Sequence, residues 1–271
     1  MKGLLRRDPE QFRIPRSVQE VIPIRTVWKS GIFLVGSNRY SRTWQFSDIN
    51  YALAGEEDQK SMLLGYSGLL NLCDSNASTK FSVVTRKLNR RDFEDYIMIP
   101  YANDGHDHYR REYNAMLLEK ASHASGMIRD LYITVTVTRK SYKDAESYFV
   151  RAGAEFTLAL SRLGSRCTEL DMMDRLRALH GFYRHGEEAD FHFDPALSMK
   201  LGHSFQDYIC PDSIEKHSDY LKLGEKYARV IFLKDYASYI KDDMLTELTD
   251  LNRNLMMSID IIPVPTDEAV R

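Results

Sequence analysis

The densest grouping of residues able to do chemistry is Gly105-His106-Asp107-His108, where two histidines alternate around an aspartate. Imidazole and carboxylate are zinc and manganese ligands, and on an extended segment alternate histidines would share one face. The same residues continue into a helical stripe behind Asp104, read as its N-cap, and side chains two apart on a helix diverge. Solvated polar residues in a first helical turn are therefore the preferred reading. A metal-dependent hydrolase or nuclease using His106 and His108 is the alternative, and it predicts bound zinc or manganese and metal-stimulated activity. Asp190-Phe191-His192-Phe193-Asp194 also alternates, with His180, His185 and His203 near it in sequence. No nucleophile in recognisable context accompanies that run.

Phosphate chemistry has no loop to serve it. The stretch from Gly36 to Thr43 lacks the second glycine and the Lys-Ser/Thr of a phosphate-binding loop. Gly224-Glu225-Lys226-Tyr227 ends in tyrosine where a hydroxyl must meet magnesium. Cys73, Cys167 and Cys210 are an odd number without CxxC spacing, so they read as free thiols of a reducing compartment. The sequence thus assigns no catalytic, nucleotide-binding or metal residue. Acidic pairs such as Glu56-Glu57 and Asp242-Asp243 sit at helix starts, where the macrodipole accounts for them.

The 271 residues carry 37 basic and 39 acidic side chains, a net charge of −2, so no global basic field draws nucleic acid. No apolar run approaches the ~20 residues that span a bilayer. Positive charge is concentrated locally. Residues 1–16 hold Lys2, Arg6, Arg7, Arg13 and Arg16 against Asp8 and Glu10 and read as a flexible basic arm. Arg39 and Arg42 flank a turn that reads as an exposed hairpin tip. These two sites, through Arg6, Arg7, Arg13, Arg39 and Arg42, are the expected contact surfaces for a partner or an anionic membrane.

The elements that must carry them alternate between strand and helix. Ile32 to Val35, the turn at Gly36-Ser37-Asn38 and the alternating run Arg42 to Ile49 make a β-hairpin. Met62, Tyr66, Leu69, Leu70 and Cys73 recur at helical spacing, and Phe81 to Thr85 is a strand. A short helical piece near Asp92 to Tyr96 and a long helix from Asp104 to Gly126 precede Leu131 to Val137, the clearest strand. Helices follow at 144–163 and 170–183, then a polar loop or linker over 184–200. Strands at 217–223 and 227–233, a helix at 242–251 and a strand at 255–262 repeat the opening order. The reading is an α+β chain of two ferredoxin-like ββαβ units with antiparallel sheets around a helical pair. Its divisions are the arm, a first unit at 17–141, a helical insertion and linker at 142–212, and a second unit at 213–271. Pro265-Thr266 and the acidic residues behind it look like a helix start that stops after one turn, so the second unit is expected to be truncated.

Several stretches resemble one family: Gly31-Ile32-Phe33-Leu34, Tyr40 through Tyr51, Glu56-Glu57-Asp58 through Asn71, Tyr109 through Asn114, Tyr132 through Val135, Arg162 through Ser165, and Phe182-Tyr183-Arg184. The chain is similar to the N-terminal region of TraE/CagE-like conjugation ATPases, the large motors of type IV secretion systems, in the form carried by Gram-positive integrative and conjugative elements. The resemblance covers roughly residues 17–271. It implies that the Walker motifs, with ATP and magnesium, belong to a RecA-like motor domain absent from this fragment. It also implies docking on inner-membrane channel subunits, self-association within an ATPase oligomer, and a place at the cytoplasmic face of the membrane. Nucleic acid is not an expected partner of this fragment. Replacing Arg6, Arg7 and Arg13 by Glu should abolish co-sedimentation with liposomes; unchanged sedimentation would remove the arm's membrane role.

Overall fold

A computed structural model of the chain describes residues 15–87, 97–123, 127–235 and 243–263. The expected helical piece at 92–96, the helix end at Gly126, the helix start at 265–271 and the arm residues Arg6, Arg7 and Arg13 lie outside them. The chain mixes helices with antiparallel sheets, as its α+β pattern predicts.

The hairpin forms, with its second strand at Arg39–Phe46 in place of the expected 42–49. β1 (Ile24–Val27) pairs with β2 (Phe33–Val35), which pairs with β3 (Arg39–Phe46). Helix α2 (Glu56–Asn71), preceded by the short α1 (Val18–Val21), leads to β4 (Ala77–Lys87). Helix α3 (Asp107–His123) leads to β5 (Met127–Thr138). The main sheet runs β1-β2-β3-β5-β4-β10, with β10 (Leu255–Ile261) at its edge; β6 (Cys167–Glu169) pairs with the second half of β3. One edge of β3 is therefore shared, first by β2 and then by β6, while β5 covers its other edge from Arg39↔Thr138 to Phe46↔Leu131.

Period two decides the faces of this sheet. Tyr40, Trp44, Ile133, Val135 and Val137 point one way and form the larger core with Leu69 of α2 and the apolar stripe of α4 (Tyr142–Arg162). That stripe is Ala145, Phe149, Ala152, Phe156 and Leu160, at helical spacing behind the Ser141 cap, whose Oγ accepts the Asp144 N–H. Trp44 packs between Phe149 and Phe156, with ring centroids 6.2 and 5.6 Å away. Gly153 lets α4 approach: a Cβ there would lie 3.0 Å from the indole nitrogen. The opposite face carries hydroxyls and charges. Thr43 and Thr134 share a hydrogen bond of 2.9 Å, and Asp130 accepts from Gln45 at 3.1 Å and from Arg86 at 3.0 Å.

A second core closes the β1–β2 end of that opposite face. Ile22, Ile24 and Phe33 pack there against Met172 and Leu176 of α5 (Met172–Tyr183), together with Phe191, Ile209 and Cys210. Residues 184–200, expected as a polar loop, instead hold a 3-10 turn (Glu188–Asp190) and α6 (Pro195–Leu201), followed by α7 (Gln206–Ile209). Asp194 caps α6 by accepting the N–H groups of Ala196 and Leu197, and Gly202 ends it in the left-handed conformation.

The C-terminal elements depart furthest from expectation. The run 217–223 contains a turn, so β7 (Ile214–Lys216) and β8 (Leu221–Leu223) are separate strands, and β9 (Lys226–Ala228) completes a small sheet. After α8 (Asp243–Thr249), β10 does not finish a second sheet. It pairs with β4 from Leu255↔Thr85 to Ile261↔Thr79.

Arg175 joins α5 to the sheet. Its guanidinium is fully buried, donates to the carbonyls of Gly31 and Ser41 at 2.7 and 2.8 Å and to Ser41 Oγ at 3.1 Å, and lies 3.9 Å over the Phe33 ring. Burial, then the nearby Arg42, lowers its hold on its proton, although it stays charged at neutral pH. Arg175→Lys, which cannot reproduce the fork, should cost about 2–4 kcal/mol in denaturant unfolding, since it strands buried carbonyls. His180 gives a second expectation. Burial, then Arg184, lowers its pKa, so the unfolded chain takes up a proton that the folded one resists. Stability should therefore fall as pH drops below about 6.5, and His180→Leu should flatten that slope between roughly pH 7 and 5.5.

Candidate functional site

The hairpin end of the main sheet gathers the chain's most distinctive surface chemistry. Gly36 and Asn38 turn the chain between β2 and β3 with φ of 96° and 55°. The side chains of Ser37 and Asn38 are exposed at the tip. Across the sheet, the Arg139 N–H donates to the Asn38 carbonyl at 2.9 Å, which fixes the end of β5 against the tip. Arg39 pairs with Thr138, so its backbone lies near Arg139 and the exposed Lys140, while period two turns the Arg39 side chain to the face opposite α4 and Arg139 packs on Tyr148 of α4. The sequence reading found Arg39 and missed the other two, because only the β3–β5 register brings residues a hundred positions apart together.

Arg42 corrects the expectation that both hairpin arginines face a partner. It points to the apolar side of the sheet and its side chain is only 8% exposed. It donates to the Ser30 carbonyl at 3.1 Å and pairs with Glu169 at 2.6 Å. Its charge holds β6 and the β1–β2 loop to β3, and no surface uses it.

Beside the basic rim, Arg139 lies over the ring of Tyr148 at 4.8 Å and Arg151 reaches the same ring at 5.8 Å. Tyr148 borders a cavity of about 210 Å³, whose apolar wall is Leu72, Val135, Ala152 and Phe156 and whose mouth carries Asp74, Arg151 and Glu155. Burial, followed by the negative charge of Asp74, pushes the Tyr148 phenol up to about 12 against the pull of the two arginines. The phenol therefore stays protonated and offers a donor at the mouth. Arg139, Arg151 and the Tyr148 phenol thus lie together beside a mouth that also carries the carboxylates of Asp74 and Glu155.

Burial raises the pKa of Cys73, Cys167 and Cys210, which keeps all three as thiols at neutral pH. The His106 and His108 imidazoles are taken up by Tyr109, with centroids 6.4 and 3.7 Å from its ring. Asp104 is not the cap of α3: its carboxylate accepts the His106 N–H at 3.0 Å, and the first helical bond goes to the His106 carbonyl. Arg110 pairs with Asp104 and Asp107, which holds both carboxylates below their usual pKa range. The other histidines are dispersed. His185 meets Glu188 at 3.1 Å, His192 meets the Asp190 carbonyl at 2.6 Å, and His180 packs on Phe191. Among the described residues, no three His, Cys, Asp or Glu side chains are grouped to hold a metal ion.

No known protein family matches the chain, and no curated protein matches it at a significant level. The thiols provide a direct check on the site's chemistry. At neutral pH the native chain should react with a disulfide reagent at no more than one of its three cysteines within minutes, and guanidinium should release all three.

Proposed function

We propose that this chain is the docking and assembly region of a conjugative type IV secretion motor, contacting inner-membrane channel subunits from the cytoplasmic face of the membrane. On this reading it takes no part in catalysis, and ATP and magnesium act in a RecA-like domain outside these residues. One observation carries the proposal. Four of the seven segments that resemble the motor family, 31–34, 40–51, 132–135 and 162–165, meet around β3, while the others lie in α2, in α3 and at the end of α5. Gly31 to Leu34 enters β2, Tyr40 to Phe46 lies in β3, Tyr132 to Val135 is its β5 neighbour, and Arg162 to Ser165 leads from α4 into β6. The resemblance therefore concerns the residues that build one fold.

Strand order supports the ferredoxin-like part of the reading, with different boundaries. β6, β3, β5 and β4 lie side by side in that order, and α2 and α4 pack on the same face. Taken along the chain as β3-α2-β4-β5-α4-β6, with α3 added before β5, this is the split β-α-β arrangement of a ferredoxin-like unit. The proposed unit spans residues 39–169 and draws its second helix and fourth strand from the stretch read as an insertion. No helix among the described residues is long and apolar enough to cross a membrane. The basic rim of Arg39, Arg139 and Lys140 supplies a surface for an acidic partner or anionic headgroups.

The test is conjugative transfer from a host carrying the element. Replacing Arg39, Arg139 and Lys140 together by Glu should reduce transfer about 100-fold at unchanged protein level, corresponding to ~3 kcal/mol of lost contact. The variant should also stop co-purifying with the channel subunits. A wild-type chain that never co-purifies with them, together with undiminished transfer by the variant, would overturn the proposal.

A further inference from the structure

Among the described residues, the small sheet ends in an open edge at β9. β9 pairs only with β8, and β8 is three residues long, so pairing stops at Leu221↔Ala228. The chain continues as Arg229-Val230-Ile231-Phe232-Leu233-Lys234-Asp235. Val230, Ile231, Phe232 and Leu233 are 77, 85, 76 and 50% exposed. Among the described residues, no backbone hydrogen bond is made from Arg229 to Asp235. β-Branched and aromatic side chains in this density form strands when a partner strand is available.

Two kinds of surface could cover such a run. A bilayer would take the side chains but would leave the open N–H and C=O groups without partners, which is costly in hydrocarbon. A second strand satisfies both, because it brings a ladder as well as apolar contact. The run is also complementary to itself. In an antiparallel pair centred on Ile231, this residue meets Ile231 of the partner subunit, and Val230 meets Phe232 of the partner subunit. Arg229 then meets the partner's Leu233 and lies diagonal to the partner's Asp235 on the same face, twice by symmetry. Centring on Phe232 instead sets Lys234 against the partner's Val230 but brings Arg229 directly opposite the partner's Asp235, so either register joins the apolar residues and brings these opposite charges together.

We propose that residues 227–235 are a self-pairing edge, through which two copies of this chain join antiparallel about a two-fold axis within the run Val230 to Leu233. The three strands of each small sheet then continue into one sheet across the axis. This surface is separate from the basic rim and serves whichever larger machine the chain belongs to.

Sedimentation equilibrium of the full chain over ~5–200 μM tests the proposal, since a ribbon this short makes a weak dimer. The wild-type chain should show a monomer–dimer equilibrium. Ile231→Lys should raise the dimer Kd at least ~10-fold, because it sets a charge from each strand into the apolar seam. Arg229→Asp should weaken the dimer several-fold, and adding Asp235→Arg should return Kd to within about threefold of wild type. The three positions that carry these changes, Arg229, Ile231 and Asp235, are exposed, so thermal melting of the monomer should be unchanged in every variant. A wild-type chain monomeric throughout the range would overturn the proposal, as would a dimer indifferent to Ile231→Lys. So would a monomer that sediments with phosphatidylglycerol vesicles and loses them on Ile231→Lys, which would assign the run to a lipid surface.

Discussion

Arg175 ties the two halves of the structure together. A guanidinium taken wholly out of water needs acceptors on every side, and here they are backbone carbonyls of the β1–β2 loop and β3 with one serine hydroxyl. The constraint is mutual. Gly31 must hold a φ of 78°, and any Cβ on it would sit 2.0 Å from the Leu170 carbonyl. The loop before β2, the N-terminus of α5 and the middle of β3 therefore form as one unit. The second core can close only when that unit is in place, because Phe33 is at once the floor under Arg175 and a member of the core.

The main sheet divides its labour between faces. Its apolar face accepts α2 and α4 and supplies most of the buried aromatic area around Trp44. Its other face is apolar only where α5 covers it and elsewhere pairs hydroxyls and charges, as in Thr43–Thr134, Ser82–Ser258 and Lys80–Asp260. That distribution follows from cover. Where a helix lies on the sheet, apolar side chains are stabilised by burial; where water reaches it, cross-strand polar pairs suffice.

The surfaces left for function lie at the margins of this frame. The basic rim stands at the hairpin end, held rigid because β2, β3 and β5 all end there. The apolar run after β9 stands on the small sheet, with its strand chemistry unspent. Interaction sites on exposed ends of a rigid sheet suit an assembly component, which must present contacts without reorganising.

Much of the local structure was legible from residue pattern alone. The β2–β3 hairpin, α2, β5, α4 and α5 follow from period-two and period-3.6 spacing of apolar residues, while the structure places the starts of the last two behind the caps Ser141 and Asp171. Some signals were present and passed over, such as the Asp194-Pro195 start and Gly202 stop of α6. Other features had no local signal. That β10 would join β4, and that Arg39 would stand with Arg139 and Lys140, depends on strand pairing between positions far apart in the chain. Arg42 shows the same limit, since its charge suggested a surface while its place in β3 and the carboxylate of Glu169 buried it. The sequence by itself determined the strongly periodic segments, namely the β2–β3 hairpin, α2, β5, α4 and α5, but not α6 or the bounds of β7 to β9. Only the tertiary structure decided which strands are neighbours, and hence which charges are buried and which are offered, because pairing is a choice among distant segments with nearly equal local preference.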